Sequence, residues 1–220
     1  VTGVIALLKA QDPTRDWRAL KNLTLAGTVP PSQYSIPTVT GGRLNAAKAL
    51  SCSNSVVQAR MRPANFEPIT LAIGGTIALE AININCSGPN GNLAVAVEPG
   101  STAVTLMDDG TGSDEVAGDG IYTSTWTAPA AGTYTLTFPG RAADIVTVEV
   151  DPSLRAGFPL RMTQYPDYYG RVGAATTALV VGNIEGDSRP EILAPGVLYG
   201  PMYAWRGDGN PVPGWPIYIG

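Results

Sequence analysis

Residues 93–97, Leu-Ala-Val-Ala-Val, alternate large apolar side chains with small ones. Residues 134–138 (Tyr-Thr-Leu-Thr-Phe) and 146–150 (Val-Thr-Val-Glu-Val) repeat the same two-residue period. A period of two places one set of side chains on the buried face of a strand and the other set toward water. The three runs therefore predict strands that each contribute one apolar face to a core.

Clusters of turn residues separate these strands. Gly, Pro, Asn and Ser are concentrated at residues 74–75, 87–92, 99–100 and 129–132. About seven short strands with such spacing predict an immunoglobulin-like antiparallel β-sandwich over residues 52–152. Between residues 77 and 86 the alternation slips by one position, which predicts a bulge or a strand that changes sheets.

The composition of the 220-residue chain excludes several functions. Without histidine, the chain cannot itself hold a Ser-His-Asp triad, a Cys-His pair or a zinc site built on imidazole. A formal net charge of −4 argues against a nucleic-acid partner. Because no apolar run approaches the roughly 18 residues of a membrane-spanning helix, no membrane span is predicted in this segment.

Residues 1–51 have a helical period instead. Apolar residues at positions 1, 4, 5 and 8 predict a helix that stops at Asp12-Pro13, since proline cannot continue a helix. No N-cap residue precedes it, which predicts that the helix starts before residue 1. A second helix follows, with Asp16 as its cap or first-turn acid. Gly41-Gly42 predicts a turn before an alanine-rich helix.

This N-terminal segment resembles the end of a subtilisin-like (subtilase) serine protease domain. The resemblance rests on Val1-Thr2-Gly3-Val4-Ile5-Ala6-Leu7-Leu8, the Asp12-Pro13 stop and Gly41-Gly42-Arg43-Leu44-Asn45-Ala46. It implies that residues 1–51 are the C-terminal helices of a truncated α/β peptidase domain. The catalytic serine, histidine and aspartate are then expected upstream of Val1, and no residue of this chain is assigned a catalytic role.

Cys52 and Cys86 are the two cysteines of the chain. In an exported protein, which the resemblance implies, we expect them to form a disulfide bond. The alternative is two separate buried thiols, because cysteine is commonly an interior residue.

The acidic segment 108–120 lies between two predicted strands and carries five carboxylates. Such a loop suits Ca²⁺, which takes several oxygen ligands. The alternative is a solvated connection in which Asp and Gly form turns, because the spacing fits no metal-loop template. The Asp-Asp-Gly and Gly-Asp-Gly-x-Tyr patterns resemble accessory sandwich domains of secreted bacterial proteins, where they are structural.

The last third of the chain carries a repeat. Gly157-Phe158-Pro159-Leu160 recurs 57 residues later as Gly214-Trp215-Pro216-Ile217. Short apolar strands are predicted between the two copies, at residues 178–181, 191–194 and 202–205. Repeats at a fixed period are typical of β-propellers, so residues 153–220 predict one incomplete propeller blade.

Residues 183–192 resemble the FG-GAP/VCBS class of propeller repeat, together with Met202-Tyr203-Ala204-Trp205 and Pro213-Gly214-Trp215-Pro216. The resemblance implies a Ca²⁺-binding loop, with calcium as the expected cofactor. The mapped ligands are Asn183, Glu185, Asp187 and Glu191. The loop departs from the pattern twice, because Glu185 is longer than the usual Asp and Ser188 replaces a glycine. The alternative is an acidic turn whose side chains cap the backbone.

Three hypotheses of function follow for this mostly β, multidomain chain. The first is a fragment of a secreted subtilisin-like endopeptidase that acts on polypeptide substrates, with accessory domains for binding or anchoring. The second is a non-catalytic adhesion protein whose sandwich and propeller bind a cell-surface or extracellular ligand. The third is a carbohydrate-binding module, although aromatic residues at these spacings are more often core or interface residues. Its rings are Trp126, Trp205, Trp215, Tyr165, Tyr168 and Tyr169. The predicted localisation is secreted or cell surface.

Overall fold

A computed structural model describes residues 1–30, 38–63, 69–140, 144–155, 157–158, 160, 179–196 and 201–218. Within these ranges the protein is mostly β, with several antiparallel sheets and three helices. The chain forms two compact units. The first comprises Val1–Ile69, Thr76–Thr127 and Gly132–Glu149, and the second comprises Thr70–Gly75, Ala128–Ala131 and Val150–Gly220. No described helix is long and apolar enough to cross a membrane.

The helices predicted in residues 1–51 are present as α1 (Thr2–Gln11), α2 (Trp17–Ala26) and α3 (Ala46–Leu50). Helix α1 ends immediately before Asp12, as the following proline requires. Asp16 caps α2, because its side chain accepts a hydrogen bond from the N–H of Ala19 at 2.9 Å. Asn45 caps α3 in the same manner.

Fourteen strands lie in the described residues. They are β1 (Thr28–Val29), β2 (Arg43–Leu44), β3 (Val56–Arg62), β4 (Ile69–Leu71), β5 (Thr76–Asn85), β6 (Gly88–Pro89), β7 (Leu93–Glu98), β8 (Thr102–Leu106), β9 (Ile121–Thr127), β10 (Gly132–Phe138), β11 (Asp144–Val150), β12 (Val180–Gly182), β13 (Glu191–Pro195) and β14 (Met202–Trp205).

Four sheets are built from these strands. Strands β1 and β2 form a two-stranded ribbon. Sheet I contains β3, β5 and β6, with β9 also paired to β5. Sheet II has the order β4-β11-β10-β7-β8, and sheet III has the order β12-β13-β14. The described residues therefore contain one three-stranded sheet in the segment predicted as a propeller blade, and no closed propeller.

Sheets I and II supply the core of the first unit. Strand β7 alternates buried and exposed side chains along its whole length, which confirms the predicted period of two. The rings of Trp126 in β9 and Tyr134 in β10 meet edge to face, with centroids 5.2 Å apart. Arg60 of β3 also reaches Asp144 of β11, with 2.8 Å between Nε and Oδ2.

The predicted slip within β5 has a different cause from the one expected. The register of β5 with β9 is unbroken, so β5 neither bulges against β9 nor changes sheets. Leu79 is buried on one face, while Ile82 and Ile84 are buried on the other, where they pack with Ala26 of α2. The bulge lies in the neighbouring strand β3, at residues 60–62. Strand β5 is apolar on both sides because a helix covers its second face.

Asn83 in β5 is the buried centre of a polar network and is only 2% exposed. Its Oδ1 accepts hydrogen bonds from Gln58 Nε2 at 3.0 Å and from Asn90 Nδ2 at 3.2 Å. Its Nδ2 donates to the carbonyl oxygen of Gly91 at 2.7 Å. The hydroxyl oxygen of Tyr122 accepts from the N–H of the same glycine. The network therefore fixes the turn after β6 against sheet I.

Replacing Asn83 by leucine should lower the free energy of unfolding by about 1–3 kcal/mol, because the three hydrogen bonds of its amide to Gln58, Asn90 and Gly91 are lost. Urea unfolding followed by circular dichroism measures the change. Asn92→Leu is the control, since Asn92 lies exposed next to the same turn, and surface substitutions usually change stability by less than about 0.5 kcal/mol. Equal losses in the two variants would contradict a structural role for the network.

Candidate functional site

Sheet III carries the acidic loop that the sequence singles out. The predicted strands are present as β12, β13 and β14, although Ala178, the first residue of the predicted 178–181 strand, lies outside the described residues. Antiparallel pairing places Val181 opposite Ile192 and Leu193 opposite Ala204. The loop between β12 and β13 therefore opens at the same end of the sheet as the chain that follows β14.

The two copies of the sequence repeat adopt the same local turn. In the first copy, the N–H of Phe158 donates to the carbonyl oxygen of Arg155, and Gly157 has φ +89°. In the second copy, the N–H of Trp215 donates to the carbonyl oxygen of Val212, and Gly214 has φ +84°. A left-handed glycine before an aromatic residue is thus common to both copies. Pro159 lies outside the described residues.

Two of the tryptophans proposed for carbohydrate binding are buried. Trp126 and Trp205 are each 7% exposed. Trp205 stacks on Tyr203 with ring centroids 5.4 Å apart and forms part of the core of sheet III. These two tryptophans therefore pack in cores, as the alternative interpretation expected. Tyr165, Tyr168 and Tyr169 lie outside the described residues.

Three of the four predicted calcium ligands are engaged with the backbone of their own loop. Glu191 is almost fully buried, and its Oε2 accepts hydrogen bonds from the N–H groups of Ile184 at 2.8 Å and Glu185 at 3.3 Å. Asp187 Oδ1 accepts from the N–H of Arg189 at 2.7 Å.

The side chain of Asn183 bridges the loop by hydrogen bonds to the backbone of two later loop residues. Its Oδ1 accepts from the N–H of Gly186 at 2.7 Å, and its Nδ2 donates to the carbonyl oxygen of Asp187. These contacts are of the kind that the capping alternative predicts.

Glu185, the fourth predicted ligand, is held by an arginine. Its two carboxylate oxygens accept from Nε and Nη2 of Arg206, at 2.6 and 2.5 Å. This bidentate geometry is the strongest that a carboxylate and a guanidinium form. It keeps the pKa of Glu185 below its usual range and raises the pKa of Arg206. Both groups are therefore charged throughout the neutral range.

Basic and acidic side chains share a cavity of about 660 Å³ beside this pair. Arg155, Arg189 and Arg206 line it together with Glu185, Asp187 and Asp208. Within the described part of the chain, no three Asp, Glu, Cys or His residues gather to hold a metal ion. As they stand, the four mapped residues do not form a convergent set of donors for Ca²⁺.

The second acidic segment, residues 108–120, also uses its carboxylates on the backbone. Asp108 accepts from the N–H of Gly120 at 2.8 Å, and Asp114 accepts from the N–H of Gly110 at 2.6 Å. The N–H and hydroxyl of Thr111 donate to Asp109, and they lower the pKa of that carboxyl. The contacts correspond to the turn alternative for this segment.

Helix α2 is tied to this segment and to sheet I. Lys21 Nζ lies 2.7 Å from Asp119 Oδ2, and the hydroxyl of Ser55 donates to the carbonyl oxygen of Ala26. Cys52 and Cys86 form a disulfide bond that joins the end of α3 to the end of β5, with 5.7 Å between Cα atoms. These contacts hold α2 to the acidic segment and to the start of β3, and the disulfide bond fixes the end of α3 to sheet I.

Arg206 and Lys21 are two charged residues whose pairing with the acidic loops the sequence does not predict. Each pairs with a carboxylate far away in sequence, 21 residues away for Arg206 and 98 residues away for Lys21. For Arg206 a signal was present, because it directly follows a predicted strand and precedes an Asp-Gly turn. For Lys21 the sequence offers no comparable signal, since the pairing depends on how α2 packs.

Comparisons with protein-family models, with curated proteins and with solved structures found no match to the chain.

Proposed function

We propose that the chain is the C-terminal, non-catalytic part of an exported subtilisin-like serine endopeptidase, whose accessory units serve for binding or anchoring. The peptidase triad of this proposal lies upstream of Val1. There, a serine attacks the peptide carbonyl, a histidine transfers the proton and an aspartate orients the histidine. The observation that carries the proposal is the uncovered apolar surface of α1.

Helix α1 is apolar around most of its circumference and bears one charge, on Lys9. Within α1, Leu8 is buried and Val4 packs partly buried against the same cluster, whereas Leu7 on another face is 52% exposed. A helix that is hydrophobic all round is normally enclosed in the core of a larger protein. The remaining apolar faces of α1 therefore call for further covering structure. The rest of an α/β peptidase domain would supply that cover.

The disulfide bond supports the exported location. Cys52 and Cys86 are joined in the described structure, and disulfide bonds persist mainly in oxidising compartments. The same bond would hold sheet I firmly to the end of the peptidase domain. A sheet fixed in this manner would follow the peptidase to its polypeptide substrate or its surface anchor.

The proposal can be tested with the longer gene product. We expect coding sequence shortly before Val1 to specify Gly-Thr-Ser, and we expect the longer product to hydrolyse casein and to react with a fluorophosphonate probe. The 220-residue chain should do neither, because it contains no histidine to activate a serine. Casein hydrolysis by the 220-residue chain itself would overturn the proposal.

The substitution Leu7→Asp distinguishes an α1 that is buried in a peptidase domain from an α1 that stays exposed in the longer product. In the 220-residue chain the side chain is half exposed, so the melting temperature should change little. In the longer product the same carboxylate would be buried, and soluble, active enzyme should be lost. Gln11→Asp, an exposed polar position at the end of the same helix, is the control. Full activity of the Leu7→Asp longer product would contradict burial of α1.

A non-catalytic binding protein is the second candidate, and strand β12 favours it. Leu179, Val180 and Val181 are 58–65% exposed, although they are consecutive large apolar residues on the edge of sheet III. Exposed apolar edges commonly mark interaction surfaces. If the longer product lacks peptidase activity while binding to cell surfaces persists, this candidate replaces the first.

A further inference from the structure

We propose that the guanidinium of Arg206 supplies the positive charge for the loop of residues 183–191, in the place that the resemblance assigns to Ca²⁺. The loop then folds and keeps its shape without a metal ion. This inference does not depend on whether the parent protein is a peptidase, because it concerns sheet III alone.

The first argument is the use of the donors. Ca²⁺ needs six to eight oxygen ligands, most of them free to point at one centre. Here Asn183 and Asp187 turn their oxygens to backbone N–H groups, and Glu191 binds two further N–H groups from beneath the loop. A metal ion would have to compete with these backbone N–H groups for Oδ1 of Asn183, Oδ1 of Asp187 and Oε2 of Glu191.

The second argument is the length of Glu185. The resemblance implies Asp at this position, with a side chain that is one methylene shorter. The additional methylene of Glu185 carries the carboxylate to Arg206, where both oxygens meet the guanidinium fork. The departure from the motif that weakens a calcium site is thus the change that makes the arginine pair.

The third argument is the register of the strands. Ile192 in β13 lies opposite Trp205 in β14. Glu191 and Arg206, the next residues outward on each strand, therefore end up at the same end of sheet III. The arginine faces the loop because of this pairing. Asp187 and Asp208 line the same cavity, so the guanidinium stands among several carboxylates that would otherwise repel one another.

The test compares melting temperatures of the 220-residue chain with EDTA, with millimolar Ca²⁺ and with Mg²⁺ at equal ionic strength. The wild type should melt at the same temperature in all three. Arg206→Gln should melt lower in EDTA and regain stability in Ca²⁺, by at least about 2 °C, because Glu185 then lacks the guanidinium that pairs with both of its oxygens. Isothermal titration of the variant with Ca²⁺ should show heat of binding that the wild type lacks.

Arg189→Gln is the matched control, because it removes one arginine charge from the same cavity but leaves the pair of Glu185 with Arg206 in place. It should remain indifferent to Ca²⁺. Arg206→Lys, which keeps the charge, should also remain indifferent to Ca²⁺, and it serves if Arg206→Gln fails to fold. A Ca²⁺-dependent rise in melting temperature of the wild type or of Arg206→Lys would overturn the proposal. A folded Arg206→Gln protein that binds no Ca²⁺ would also overturn it.

Discussion

Replacing Gly120 by alanine is expected to lower the free energy of unfolding of the first unit by about 3–5 kcal/mol. Gly120 has φ +85°, a conformation that costs other residues energy. A Cβ atom there would lie 2.3 Å from Cγ2 of Ile84 and 3.3 Å from the amide of Asn22. Both neighbours are fully buried between α2 and β5, so neither can move aside cheaply.

Gly112→Ala separates the steric part of this effect from the backbone part. Gly112 belongs to the same acidic segment and has φ +63°, but nothing lies within 4 Å of its Cβ position. Its substitution should therefore cost only the left-handed backbone penalty, about 1–2 kcal/mol. Guanidinium unfolding of the two variants measures the difference. If both lose the same stability, the close contact under α2 does not exist in solution.

Removing the disulfide bond by Cys52→Ser with Cys86→Ser should lower the free energy of unfolding by roughly 3–4 kcal/mol. The bond joins residues 34 positions apart, so its loss enlarges the conformational freedom of the unfolded chain. The two residues also pack on the buried cluster of Leu8, Leu23 and Ala49, where hydroxyl groups fit less well than sulfur.

The matched comparison uses dithiothreitol on both proteins. Reduction should move the urea midpoint of the wild type most of the way to that of the double serine variant, and it should leave the variant itself unchanged. A wild-type midpoint that does not respond to reduction, with free thiols confirmed by alkylation, would show that the bond does not stabilise the fold.

Local signals predicted much of this fold. The alternation in β7 and the Asp16 cap of α2 depend on residues near one another in sequence, and both are present in the structure. The shift in the apolar alternation within β5 can be read from the sequence, but the packing that causes it cannot. Ile82 and Ile84 are apolar because α2 covers them, and that contact joins residues more than 50 positions apart.

In the acidic loops, too, local sequence signals leave open what long-range packing decides. Their composition indicated either a cation site or capped turns, and no local pattern separates the two. The bidentate pair of Glu185 with Arg206 depends on the register of β13 against β14. Such pairing is decided by the packing of sheet III, so the sequence alone left both interpretations open.

The cover that α2 gives to β5 has a practical consequence for dissecting the protein. A shorter protein that begins at residue 52 would follow the boundary that the sequence suggests, yet it would expose Ile82 and Ile84 to water and leave Asp119 without Lys21. Such a product would expose an apolar patch in the middle of sheet I and would tend to aggregate during expression. The smallest soluble version of the first unit should therefore begin no later than Asp16.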